Sequence, residues 1–159
     1  SYYGEMMTYL GMTLPSALFA LIIWIKNPYQ KGSRVVRVAS LTRQKIGFMS
    51  LSIPALTMAF YLILRAMATP YLVLSTMSIV TSLVASMFMF FRSPYYAIGY
   101  ALNDIVLIIL WILASMSNVS YLPMVICFIV FFVNDAYGFF NWSKMKNEQQ
   151  KNKKQELLI

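Results

Sequence analysis

Residues 71–115 read YLVLSTMSIVTSLVASMFMFFRSPYYAIGYALNDIVLIILWILAS. Two apolar runs, Tyr71–Phe91 and Tyr95–Ser115, are separated only by Arg92, Ser93 and Pro94. A helix of about 20 residues crosses the hydrocarbon core of a bilayer, and each run is that long. Three residues leave no room for a domain between them, so the runs form an antiparallel hairpin of membrane helices.

The same reading extends outward to spans at about 6–25, 46–64 and 121–141. The fold expected is therefore an all-α integral membrane protein with about five transmembrane helices. Pro15 and Pro54 fall inside spans and read as kinks. Pro70, Pro94 and Pro123 fall at helix starts, where a missing N–H costs nothing. Composition agrees: 60% of the residues are hydrophobic and 11% charged, against about 45–50% and about 25% in soluble domains. A soluble body of 159 residues could not hide that much apolar surface.

Charge sets the orientation. The loop 26–45 holds Lys26, Lys31, Arg34, Arg37, Arg43 and Lys45 and no acid, and the tail 143–159 holds five lysines. Placing that loop in the cytoplasm also places Arg92 and the tail there, and leaves only Arg65 outside. The chain then divides into a transmembrane domain, 1–142, and a basic cytoplasmic tail, 143–159. The tail reads as a solvated, partly disordered segment near anionic lipid. The net charge of +8 is thereby topological, and no nucleic-acid partner is expected. With no His and only Cys127, His or multi-Cys metal sites, His-based triads and structural disulfides are excluded. No metal, cofactor or catalytic set is expected.

The informative residues are polar ones at membrane depth. An ionised Asp at a helix centre costs about 2.5–3.5 kcal/mol on insertion scales, so Asp104 and Asp135 must face protein or a watery cavity. Tyr96, Tyr100, Asn103, Asp104 and Trp111 recur at helical offsets, as do Asn134, Asp135, Tyr137, Gly138, Asn141 and Trp142. Both groups contain Asn-Asp with Trp eight residues after the Asn, which fits either an old duplication or chance. Aromatic faces stack on flat or cationic rings, and Asn amides suit hydroxyls and a carboxamide. With no Lys or Arg in these spans, a phosphate ligand does not fit.

Plainer readings stand beside these. Asn and Asp can bind helices together, and Tyr96, Tyr121 and Trp142 can be interfacial belt residues. Ser75, Ser78, Ser82 and Ser86, with Thr81 and Ala85, read as a close-packing face. The methionines, Met6, Met7, Met12, Met87 and Met89 among them, read as flexible filling, and Cys127 as a small buried apolar residue. Glu5 lies at the mouth of the first span beside Tyr2, Tyr3 and Tyr9. It reads equally as a vestibule residue or as simply solvated. The chain opens on Ser1-Tyr-Tyr-Gly-Glu without Met or a signal segment, which reads as a fragment with earlier spans missing.

The run from Arg92-Ser-Pro-Tyr-Tyr to Asn103-Asp104 and Trp111, then Tyr121-Leu-Pro-Met, then Asn134-Asp-Ala-Tyr-Gly-Phe-Phe-Asn-Trp142, resembles the PnuC family of bacterial vitamin-precursor transporters. Tyr2-Tyr-Gly-Glu, Tyr9-Leu-Gly-Met, Trp24 and Asn27-Pro28 resemble the middle of the same family. The resemblance covers nearly all five spans. It implies the C-terminal part of a seven-helix, SWEET-like fold, two three-helix bundles joined by a linker helix, with two helices missing upstream. It further implies facilitated diffusion of nicotinamide riboside across the bacterial cytoplasmic membrane, trapping by intracellular phosphorylation for NAD biosynthesis, and a homotrimer. By position, Tyr100, Asn103, Asp104, Trp111, Asn134 and Tyr137 are the substrate-binding residues implied, with Asn141 and Trp142 as weaker ones.

Other readings stay open. The same fold could carry thiamine, riboflavin or a deoxynucleoside. Asp104 or Asp135 could couple transport to protons. The chain could be the binding subunit of a larger transporter, with the 26–45 loop docking an ATPase. Two carboxylates without His are a thin basis for an enzyme.

Overall fold

A computed structural model describes residues 14–30 and 35–156. Five helices run through them: α1 (Leu14–Ile25), α2 (Arg43–Ala66), α3 (Leu72–Phe90), α4 (Tyr96–Ser117) and α5 (Leu122–Glu156). A short 3₁₀ turn, Val119–Tyr121, joins α4 to α5. The described residues contain no strand, only an isolated antiparallel bridge between Pro28 and Val36. Helices α2 to α5 are each long and apolar enough to cross a membrane, and α1 is a shorter apolar helix. The first span's residues before Leu14, with Tyr2, Tyr3, Glu5, Met6, Met7, Tyr9 and Met12, lie outside the described residues. Lys31 and Arg34 do so too.

Helix α4 is the centre. It packs against α3 on one side and α5 on the other, while α2 and α1 lie against α3. The α3/α4 contact is close because the facing residues are small. A Cβ added to Gly99 would lie 2.8 Å from Ala85 Cα and 2.9 Å from Ala85 Cβ. Ala85 and Ala97 are fully buried. The serine spacing of α3 works at this seam: Ser78 and Ser86 both bond to α4 side chains. Pro54 sits inside a continuous α2.

Elsewhere the surface is apolar. Leu51, Val73, Met116, Ile126 and Phe140 are exposed, as suits helices surrounded by lipid chains. Cys127 is exposed on α5 rather than buried.

The tail departs from expectation. Instead of a partly disordered segment, it continues α5 without a break to Glu156. Residues 143–156 are mainly Lys, Gln, Glu, Asn and Met, with no Gly or Pro, so helix propensity favours propagation once the apolar part has nucleated it. At about 1.5 Å per residue α5 is about 50 Å long, well beyond the about 30 Å of a hydrocarbon core. The extension is docked. Gln149 Nε2 donates to the Val36 carbonyl and Gln149 Oε1 accepts from the Val38 N–H, both at 2.9 Å. One residue further, Ala39 N–H donates to the Arg92 carbonyl at 3.1 Å. The α1–α2 connection is thus tied both to α5 and to the α3–α4 turn.

Gly99→Ala is expected to lower stability by about 1–3 kcal/mol, because its new methyl meets backbone rather than a movable side chain. Gly47→Ala, with nothing within 4 Å, is expected to leave stability unchanged or raise it. Unfolding midpoints of the two variants in one detergent check both.

Candidate functional site

The apolar faces that hold α3, α4 and α5 together force a few polar groups into the same interior. Asp104 is 4% exposed and lies across the α4/α5 seam from Asp135, the two carboxyl groups within hydrogen-bonding reach. Asp104 Oδ2 is buried with no donor on it among the described residues. A carboxylate only accepts, so this contact needs a shared proton, or a cation or donor brought from outside. Asp135 lies close enough to Tyr96 and Tyr100 for its charge to act on both. Those helices supply no Lys or Arg between Tyr96 and Trp142.

An aromatic cluster adjoins the acid pair toward the basic end of the bundle. Trp142 from α5 lies between Tyr96 of α4 and Trp24 of α1, with ring centres 5.1 Å away in each case. Trp24 and Tyr96 meet edge to face at 6.0 Å, and Tyr96 and Tyr100 at 6.3 Å. These are the offset and edge geometries that aromatic quadrupoles favour. Trp24 Nε1–H donates to the Met89 carbonyl at 3.3 Å, and the Tyr100 hydroxyl pairs with Ser86 Oγ at 3.1 Å. The cluster joins α1, α3, α4 and α5.

The residues singled out in the sequence divide into four places. Tyr100 and Asp104 lie at the acid–aromatic centre. Asn103, one residue and about 100° around the helix from Asp104, is buried against α3 instead. Its Oδ1 accepts from Ser78 Oγ at 3.1 Å and from Thr81 Oγ1 at 2.9 Å. Trp111 is buried about two turns further on in a separate apolar cluster with Val125 and Phe128, and its ring meets that of Tyr121 at a tilt, 5.5 Å between centres. Its buried Nε1–H has no acceptor among the described residues. Asn134, Tyr137 and Asn141 point away from α4: all three are exposed, Tyr137 at 67%. They form one outward stripe of α5 at offsets of 3 and 4.

Two aromatic residues gain weight. Trp142 is 8% exposed and in tilted and edge-on ring contact with Trp24 and Tyr96, not an interfacial belt residue. Trp24 entered the sequence reading only through the family resemblance, with no site role attached to it. Its pairing with a residue 118 positions later has no local signal.

The profile of the nicotinamide mononucleotide transporter family matches residues 1–144. The nicotinamide riboside transporter PnuC of Neisseria mucosa is 27% identical over 148 residues, 90% of this chain and 56% of that relative. This chain therefore spans about half the length of the curated relative it matches. The crystal structure of the vitamin B3 transporter PnuC matches with a TM-score of 0.73 over 94% of this chain and 65% of that one. At 22% identity that likeness establishes a shared fold.

The Asn103 network is expected to behave as a unit. Thr81→Val and Asn103→Ala should each lower stability by about 0.6–1.7 kcal/mol, the range for polar contacts between membrane helices. The double variant should cost less than the sum of the two. A double-mutant cycle on unfolding in detergent measures the difference.

Proposed function

Because the chain belongs to the nicotinamide mononucleotide transporter family, we propose that it is part of a transporter for uptake of nicotinamide riboside by facilitated diffusion, with intracellular phosphorylation trapping the substrate. The observation that carries this reading is the acid pair beside an aromatic cluster. Asp104 and Asp135 bring negative charge together in the interior with no Lys or Arg among the site residues. A pyridinium ring offers the positive charge such a site lacks, and Trp and Tyr faces offer cation–π contact. The same feature disfavours a phosphate monoester, whose charge would meet two carboxyl groups. That supports the riboside over the mononucleotide, and it fits trapping, since the phosphorylated product would have poor access to the return path.

In this reading Tyr100 and Asp104 contact the substrate from within the bundle. Asn134, Tyr137 and Asn141 face outward from α5 and would contact it from the other side of a groove between this bundle and a second one. Asn103 and Trp111 act by holding α3 and α5 against α4. The basic end is cytoplasmic, which places the C-terminus inside the bacterial cell membrane's inner face and satisfies the positive-inside rule. The assembly is a homotrimer, as the resemblance in the sequence implies.

One further reading has a specific observation behind it. The Asp104–Asp135 contact is a place where a proton can be held and released, so proton-coupled transport is the rival mechanism.

The test uses the full-length protein in liposomes with radiolabelled nicotinamide riboside. Saturable equilibration, turned into accumulation only by a riboside kinase and ATP enclosed inside, is expected. Accumulation without kinase that collapses on adding an uncoupler would instead favour proton coupling. Failure of folded protein to take up the riboside would end this assignment. Asp135→Asn keeps the side-chain shape and removes one charge. It is expected to weaken binding of the cationic riboside about tenfold, about 1.4 kcal/mol, with a smaller effect on an uncharged reduced riboside, as read by competition in the same assay.

A further inference from the structure

The basic end of the bundle contains an arrangement that topology alone does not explain. The positive-inside rule accounts for how many cations lie there, but not for a covered guanidinium held in a turn close to a second arginine charge. Arg92 lies in the turn 91–95 between α3 and α4 with φ of 55°, the left-handed helix-ending conformation that Ala68 adopts after α2. Its carbonyl is held by the Ala39 N–H, which brings the backbone of the segment that carries Arg37 to the turn. Burial and the neighbouring Arg37 charge both lower the Arg92 pKa. Arg92 Nη1 is covered by protein yet has no acceptor among the described residues.

Two ammonium groups flank this pair. Lys45 Nζ lies 5.4 Å from the Phe91 ring centre and 3.4 Å from the Ser40 carbonyl oxygen. Lys146 Nζ lies 5.5 Å from the Tyr95 ring centre. Both rings belong to the turn that carries Arg92. Four cations from the loop, α2, the turn and α5 thus gather about the 91–95 turn, and no carboxylate among the described residues pairs with either guanidinium. Like charges gathered about a covered, unsatisfied guanidinium donor call for an anion with several acceptor oxygens. Guanidinium groups match phosphate oxygens in a bidentate geometry, and ammonium groups add point charge.

We propose that Arg37, Arg92, Lys45 and Lys146 form a binding site for a phosphate oxyanion at the basic end of the bundle, separate from the acid–aromatic centre. The phosphate can come from an anionic lipid headgroup or from a soluble phosphate. With the site filled, the α1–α2 loop, the α3–α4 turn and the α5 extension are held together by one ligand.

The test measures the thermal unfolding midpoint of the full-length protein in a neutral detergent. Phosphatidylglycerol in mixed micelles and inorganic phosphate are added separately, with phosphatidylcholine and chloride as controls at matched concentration and ionic strength. A rise of the midpoint that Arg37→Gln and Arg92→Gln each reduce by half or more, and that Lys151→Gln retains, is expected. Arg37 is exposed, so its variant folds whether or not Arg92→Gln does. A rise with the lipid alone assigns the site to a headgroup, and a rise with inorganic phosphate alone assigns it to a soluble anion. The proposal is overturned if neither anion raises the midpoint above its control, or if Lys151→Gln lowers the rise as much as Arg37→Gln.

Discussion

Two carboxyl groups meet in the interior of this bundle, and much of the structure is arranged around tolerating them. Lipid cannot solvate Asp104 or Asp135, so α4 and α5 must keep the two turned toward each other. That fixes the rotation of α4 about its own axis. Once Asp104 faces α5, its neighbour Asn103 must face α3, where Ser78 and Thr81 satisfy it. Gly99, one turn earlier, then lies on Ala85 and sets how closely α3 and α4 approach. Small residues on one side of α4 and paired acids on the other are thus two outcomes of one helix rotation.

The matching Asn-Asp and Trp spacings of α4 and α5 acquire a geometric meaning. The two helices are consecutive and antiparallel, and their Asp residues meet near the middle. Equal offsets therefore send the two Trp residues to opposite ends. Trp111 is buried with Tyr121 at one end and Trp142 with Tyr96 at the other. The seam is closed at both ends by an aromatic pair and left polar at its centre.

Much of the fold was legible because the bilayer imposes a length on each element. Runs of the right length, separated by as little as Arg92-Ser93-Pro94, leave few alternatives to a helical hairpin. The polar residues at membrane depth were legible for the same reason: their cost singles them out. Their partners were less so. A helical offset says which residues share a face of one helix, but two adjacent positions such as Asn103 and Asp104 are about 100° apart, enough to send them to different neighbours. The ring contact of Trp24 with Trp142 depends on how α1 packs, and nothing within either segment encodes it. The α5 extension was misread for a related reason. Charge and polarity suggested a disordered tail, whereas a helix already nucleated in the apolar span needs only permissive residues to continue.

The continuity of α5 makes it a lever. From Asp135 to Gln149 the helix covers about 21 Å. Rotating it by about 10° at the acid pair swings Gln149 through about 4 Å, enough to break both hydrogen bonds to the Val36 and Val38 backbone, which stand at 2.9 Å and do not survive beyond about 3.5 Å. The amide clamp on the loop is therefore a reporter of helix angle. Small movements where the two acids meet are converted, at the far end of a rigid arm, into the holding or release of the segment that leads back to Trp24.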